Sequence, residues 1–186
     1  PLVYVVHNKH KLVYKNKYVN YSALKVYNVF MQKDFSKQLI KGKIAELIFD
    51  QMFRETGNYT VIPFGYESIV PELMQYSDTF ENKNLLDNVR NAPDFALISH
   101  DPKTVSLVEI KYRSQIDMDD IQKNAIGICD RWKLAHIFIA TPAGFYFNTC
   151  MDLAKDGAML TKLSETMVSK DLQEKFLALM VGFIKA

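Results

Sequence analysis

The sequence predicts an α/β protein whose mixed sheet is covered by helices, and three observations carry that reading. Residues 93–98 (Pro-Asp-Phe-Ala-Leu-Ile) and 105–112 (Val-Ser-Leu-Val-Glu-Ile-Lys-Tyr) are short runs rich in aliphatic and β-branched side chains. The turn Ser99-His100-Asp101-Pro102-Lys103 joins them, as in a β-hairpin. The second run is apolar on both faces, with Val105 and Leu107 on one and Val108 and Ile110 on the other. A strand of that kind belongs in the middle of a covered sheet. Helical periodicity appears over 35–56 and again after Asp117, and the latter leads into the apolar run Leu134–Ala140. A strand joined to its predecessor by one helix pairs with it in parallel, through a right-handed crossover.

Taken in order, residues 1–21 read as a meander of strands with polar turns at His7-Asn8-Lys9-His10 and near Asn16-Lys17. His7 and His10 have no further ligands nearby to complete a metal set, so they read as a solvated turn. Ser22 is placed to cap a short helix carrying Leu24, Tyr27, Phe30 and Met31. Residues 35–56 are the clearest helix. Its expected apolar stripe is Ile40, Ile44, Leu47, Ile48 and Met52, with Gly42, Lys43, Glu46 and Asp50 opposite and Gly57-Asn58 as the stop. Tyr59–Phe64 reads as a strand whose Pro63 puts it at an edge or an irregular end. The polar connection Gly65–Ala92 is long for a compact domain and includes a helical stretch near Phe80–Val89. After the hairpin, Asp117 caps a helix with the buried stripe Ile121, Ala125, Ile128 and Trp132. His136 inside the next run reads as a satisfied core histidine. Phe145–Phe147 adds an edge strand, and Ser169-Lys170-Asp171 opens a last helix. Its stripe of Leu172, Phe176, Leu179, Met180 and Phe183 either packs on the core or makes a dimer.

The 186 residues fit one domain with appendages, and 48% hydrophobic content suffices for a core. No stretch approaches a membrane span and no signal peptide is visible. The start at Pro1, without an initiator Met, points to a trimmed end. Cys129 and Cys150 show no metal or redox spacing, which suits a reduced, cytoplasmic setting. Charge is segregated. Residues 1–43 hold nine Lys and one acid, while residues 44–186 hold 14 Lys and Arg against 20 acids. Lysines interleaved with Tyr4, Tyr14, Tyr18, Tyr21 and Tyr27 suit a polyanion, and equally suit a solubilising surface.

Glu109 and Lys111 stand out within the hairpin. The two-residue period puts both on one strand face, roughly 7 Å apart, where buried charge needs a partner or an ion. Asp94 opens the neighbouring strand. Pro93-Asp94, fourteen intervening residues and Glu109-Ile110-Lys111 resemble the motif of the PD-(D/E)xK nucleases, the superfamily of many restriction endonucleases and of archaeal-type Holliday junction resolvases. The segment Lys41-Gly42-Lys43-Ile44-Ala45-Glu46 resembles the first helix of the resolvase branch.

The resemblance implies a restriction endonuclease-like core in the order αβββαβ over 35–150. A basic extension (1–34) precedes it and a helical tail (151–186) follows. It further implies phosphodiester hydrolysis on DNA, with Glu46, Asp94, Glu109 and Lys111 as catalytic residues. Mg²⁺ or Mn²⁺ would be held by Asp94, Glu109 and the Ile110 carbonyl, with Glu46 binding directly or through water. Lys111 would act electrostatically on the attacking water and the developing charge. Lys37, Lys41, Lys43, Arg113 and Lys123 would meet the DNA backbone, and Gln122 is a weaker candidate. Ile126 stands where an exonuclease branch carries tyrosine. A resolvase acts as a homodimer. Three other readings stand beside this one: a binding module without catalysis on the same fold, a structural subunit of a larger assembly, and an α/β domain in which Glu109 and Lys111 are only an ion pair.

Overall fold

The computed structural model describes residues 21–65 and 91–185, with side chains from Ser36 onward. The meander expected over 1–21, with His7 and His10, and most of the 65–92 connection lie outside the described residues. The chain divides into two compact units, Pro1–Leu39 and Ile40–Ala186. The sheet and the candidate site belong to the second.

The two helices expected before residue 56 are one, α1 (Tyr21–Glu55). Gln32-Lys33-Asp34-Phe35 contains neither Gly nor Pro, so nothing breaks it. Its buried face is also rotated from the expected stripe. Ala45, Ile48, Phe49, Met52 and Phe53 are buried, whereas Ile40 and Leu47 are 59% and 62% exposed. Phe49 is the reason. Its ring lies 4.5 Å from Phe53, 5.5 Å from Phe95 and 5.0 Å from Phe138, centroid to centroid. Two buried aromatics remove more apolar surface from water than Ile40 and Leu47 would. Gly57, at a φ of 72°, takes the left-handed position after the helix.

Five strands follow: β1 (Tyr59–Pro63), β2 (Phe95–Ser99), β3 (Thr104–Tyr112), β4 (His136–Thr141) and β5 (Gly144–Thr149). They lie in sequence order in one sheet. The β1–β2, β2–β3 and β4–β5 pairs are antiparallel and β3–β4 is parallel. The hairpin, the central place of 105–112, the parallel crossover and the edge strand after Gly144 all stand as expected. The crossover helix, α2 (Met118–Cys129), is capped by Asp117, whose Oδ1 accepts from the Asp119 and Asp120 amides. Trp132 and Leu134 fall outside these elements, and Leu134 is exposed. The short α3 (Cys150–Leu153) and the terminal α4 (Lys170–Lys185) complete the described elements.

Alternation along the central strands builds two cores. Val108, Ile110, Phe138 and Ala140 pack with α1 and with Phe176 and Met180 of α4. Ile137 and Ile139 pack on the opposite face with Ile121 and Ala125 of α2 and Leu153 of α3. The stripe of α4 therefore splits: Phe176 and Met180 enter the core, while Leu179 and Phe183 remain 44% and 65% exposed. His136 is stacked on Phe147 at 5.0 Å, but its Nδ1 is buried without a partner among the described residues. It is thus not the satisfied histidine expected. Burial lowers its pKa, and Asp152 partly offsets this.

Both sheet edges are partly blocked. Beside β5, Phe147 N–H donates to the Thr161 carbonyl and Leu163 N–H to the Phe145 carbonyl. On β1 the Arg54 guanidinium takes the Val61 carbonyl, and Pro63 has no N–H to offer. Among the described residues, no helix is long and apolar enough to cross a membrane.

Candidate active site

Asp94 is the hinge of the site. Antiparallel pairing of β2 with β3 sets Phe95 opposite Val108, so one step further sets Asp94 opposite Glu109 and Pro93 opposite Ile110. The Ile110 N–H donates to Asp94 Oδ2 at 2.7 Å. N–H and C=O of one strand residue face the same neighbour, so the Ile110 carbonyl also points toward Pro93. Proline has no N–H to return. The Pro-Asp pair thus ends the ladder in a particular way: the aspartate takes the Ile110 amide, and the Ile110 carbonyl is left without its ladder donor.

A bulge fixes Asp94 from the other side. Phe64 N–H and Gly65 N–H both donate to the Asp94 carbonyl, at 2.8 and 3.0 Å. Two residues of one strand thus face one residue of the next. Gly65 lies so close that an added Cβ would sit 3.6 Å from the Asp94 Cα. Neither residue stands out in the sequence as part of a site. Pro63-Phe64-Gly65 was the available signal, since Pro and Gly beside a strand often mark a bulge.

Glu109 and Lys111 project from the face of β3 that also carries Leu107, toward α2. Lys111 Nζ is 2.5 Å from Glu109 Oε1, with side chains 31% and 16% exposed. The two are therefore an ion pair, and its place beside Asp94 separates it from an ordinary surface pair. Burial, then the Glu109 charge, and behind them Glu46, push the Asp94 carboxyl up to about 7. The Ile110 N–H and Lys111 act in the opposite direction. Burial and a neighbouring negative charge both favour the protonated acid over the carboxylate.

The other expected residues divide. Glu46, on α1, is near enough for its charge to act on Asp94, and its Oε2 accepts from Lys43 Nζ at 2.9 Å. Lys41 Nζ stands 5.7 Å from the centroid of the Tyr112 ring. Arg113 is engaged within the fold: its guanidinium holds Asp120 Oδ2 at 2.7 Å and the Tyr112 carbonyl at 3.1 Å. Lys123 is exposed on α2, while Gln122 donates to the Lys155 carbonyl at 2.9 Å. Lys37 falls in the first unit.

Hard oxygen donors suit Mg²⁺ or Mn²⁺. Asp94, Glu109 and the Ile110 carbonyl are such a set, and Asp94 is raised first by burial and then by the Glu109 charge, which a cation would offset. Among the described residues, no group of three or more His, Cys, Asp or Glu side chains is gathered as around a metal ion. The fit therefore rests on two carboxylates and a backbone oxygen, with Glu46 further out.

No protein-family model matches the chain. No curated protein matches it either. Among solved structures, the chain is similar to Hjc, a Holliday junction resolvase from the archaeal hyperthermophile Archaeoglobus fulgidus, with 13% identity over 70% of this chain and 98% of that one and a TM-score of 0.33.

Proposed function

We propose that the chain is a divalent-cation-dependent DNA endonuclease of PD-(D/E)xK type, acting by phosphodiester hydrolysis and preferring branched DNA. One observation carries the catalytic reading: Asp94, held on the Ile110 amide, and the Glu109–Lys111 pair meet at one end of the sheet with an excess of negative charge. The preference for branched DNA rests on the resemblance of the Lys41–Glu46 segment to the resolvase helix.

Asp94, Glu109 and the Ile110 carbonyl would hold Mg²⁺ or Mn²⁺, which supplies Lewis-acid charge to the scissile phosphate. Glu46 would bind the cation directly or through a water. Lys111 stands beside Glu109, where its ammonium orients the attacking water and offsets negative charge growing on the phosphate. Glu109 holds that lysine in place until substrate competes for it. Lys41, Lys43 and Lys123 neutralise flanking phosphates. Arg113 joins them only by exchanging Asp120 for a phosphate.

Plasmid and four-way-junction cleavage with Mg²⁺ or Mn²⁺ tests this. Native chain should cut, junction before duplex, and Asp94→Ala and Lys111→Ala should each lower the rate by about 10²-fold or more. DNA binding without cutting in either metal would sink the enzyme reading. A second reading, a DNA-binding subunit without catalysis, is favoured by one feature: Lys111 is already neutralised by Glu109.

A further inference from the structure

We propose that Trp132 and Phe64 form a dry aromatic wall beside the Asp94 and Glu109 carboxylates, which keeps water off their α2 side and positions them for a cation. The inference rests on reading Asp94 and Glu109 as cation ligands. Phe64 gives its N–H to the Asp94 carbonyl at 2.8 Å and is therefore its backbone neighbour across the bulge. Its ring meets Trp132 edge-on, with centroids 5.8 Å apart at 87°. Trp132 packs in the α2-side core with Leu107, on the face from which Glu109 and Lys111 project.

The register shows the path between the two rings. Ala96 lies opposite Leu107. Each is two residues from a carboxylate, Ala96 from Asp94 and Leu107 from Glu109, so all four share one face. A contact between a residue just before β4 and one just after β1 spans β3 and β2 on the face that carries Ala96 and Asp94. A larger residue than alanine at that position would fill the path. The indole Nε1 is buried without a hydrogen-bond partner among the described residues. Indole nitrogen only donates, and buried donors nearly always find an acceptor. A buried Nε1 left without one is what a contact that excludes water would produce.

Trp132 is the only tryptophan in the chain, so intrinsic fluorescence reports on it alone. Mn²⁺, a paramagnetic quencher, is titrated into the full chain while calorimetry follows binding. We expect Mn²⁺ binding to remove most of the Trp132 emission, and Mg²⁺ to bind without that loss. Phe64→Ala and Trp132→Ala should weaken Mn²⁺ binding by about tenfold, and Trp132→Phe should restore it. Phe64→Ala keeps the test open if Trp132→Ala does not fold. Binding that leaves the emission unchanged overturns the wall and spares the nuclease reading. So does a folded Trp132→Ala chain that melts earlier but binds Mn²⁺ as tightly, since the ring then only packs. If calorimetry finds no binding, the cation reading fails instead, and the wall is judged without metal. Asp94→Asn removes a charge from beside the indole: a shifted emission maximum supports the wall, and an unmoved one overturns it.

Discussion

Asp94 carries a liability that its neighbours impose. Its carboxyl is pushed from 3.8 up to about 7, first by burial and then by Glu109. An acid whose folded pKa is raised contributes stability that is complete below its unfolded value and is lost as pH rises through the folded one. Between pH 4 and pH 7 this group should therefore progressively destabilise the fold. Asp94→Asn, which keeps an oxygen for the Ile110 amide, should melt a few degrees above the native chain at pH 8 in EDTA. That corresponds to on the order of 1–3 kcal/mol after allowance for nearby solvent. At pH 4 the two should melt alike. Identical melts at pH 8 would contradict the charged cluster. Asp94, Glu109 and Lys111 were legible in the sequence, because strand alternation and a short hairpin determine which side chains meet. The bulge at Phe64-Gly65 and the Phe64–Trp132 contact were not, since they join residues 29 to 68 positions apart in sequence.

At the scale of elements, α1 shows how a helix chooses its buried face. Two overlapping stripes run along it, and the one containing Phe49 and Phe53 wins. Phe49→Ala should cost about 3–5 kcal/mol, whereas Leu47→Ala should stay within about 0.5 kcal/mol. Denaturant melts of the two variants separate the registers, and the opposite ranking would restore the stripe first expected. Arg54 serves two elements at once, pairing with Asp50 on α1 and closing the outward Val61 carbonyl of β1. Arg54→Ala should lower stability by about 1–2 kcal/mol and open the sheet edge. Light scattering during heating should then rise with protein concentration more steeply than in the native chain. An unchanged scattering profile would mean that Pro63 guards the edge alone.

At the scale of the sheet as a whole, β3 is third of five strands, with helices on both faces. The same position that makes it the most protected strand also carries Glu109 and Lys111. Native-state hydrogen exchange should find the amides of Val108–Tyr112 and Ile137–Ala140 slowest, opening only with global unfolding, and β1 and α3 faster. Slow exchange in β1 exceeding that of β3 would contradict this order. On the proposed reading, that rigidity would let the carboxylates keep their spacing while substrate binds.

Local chemistry alone determined the hairpin, the parallel crossover, the Asp117 cap and the three charged residues at the strand end. Each depends on a period or a spacing that a few consecutive residues set. Only the tertiary structure decided the turn of α1, the division of the α4 stripe and the unpartnered nitrogen of His136. Those outcomes depend on which surfaces compete for the same core. That competition is between residues far apart in the chain, and it is settled by the apolar area each alternative buries.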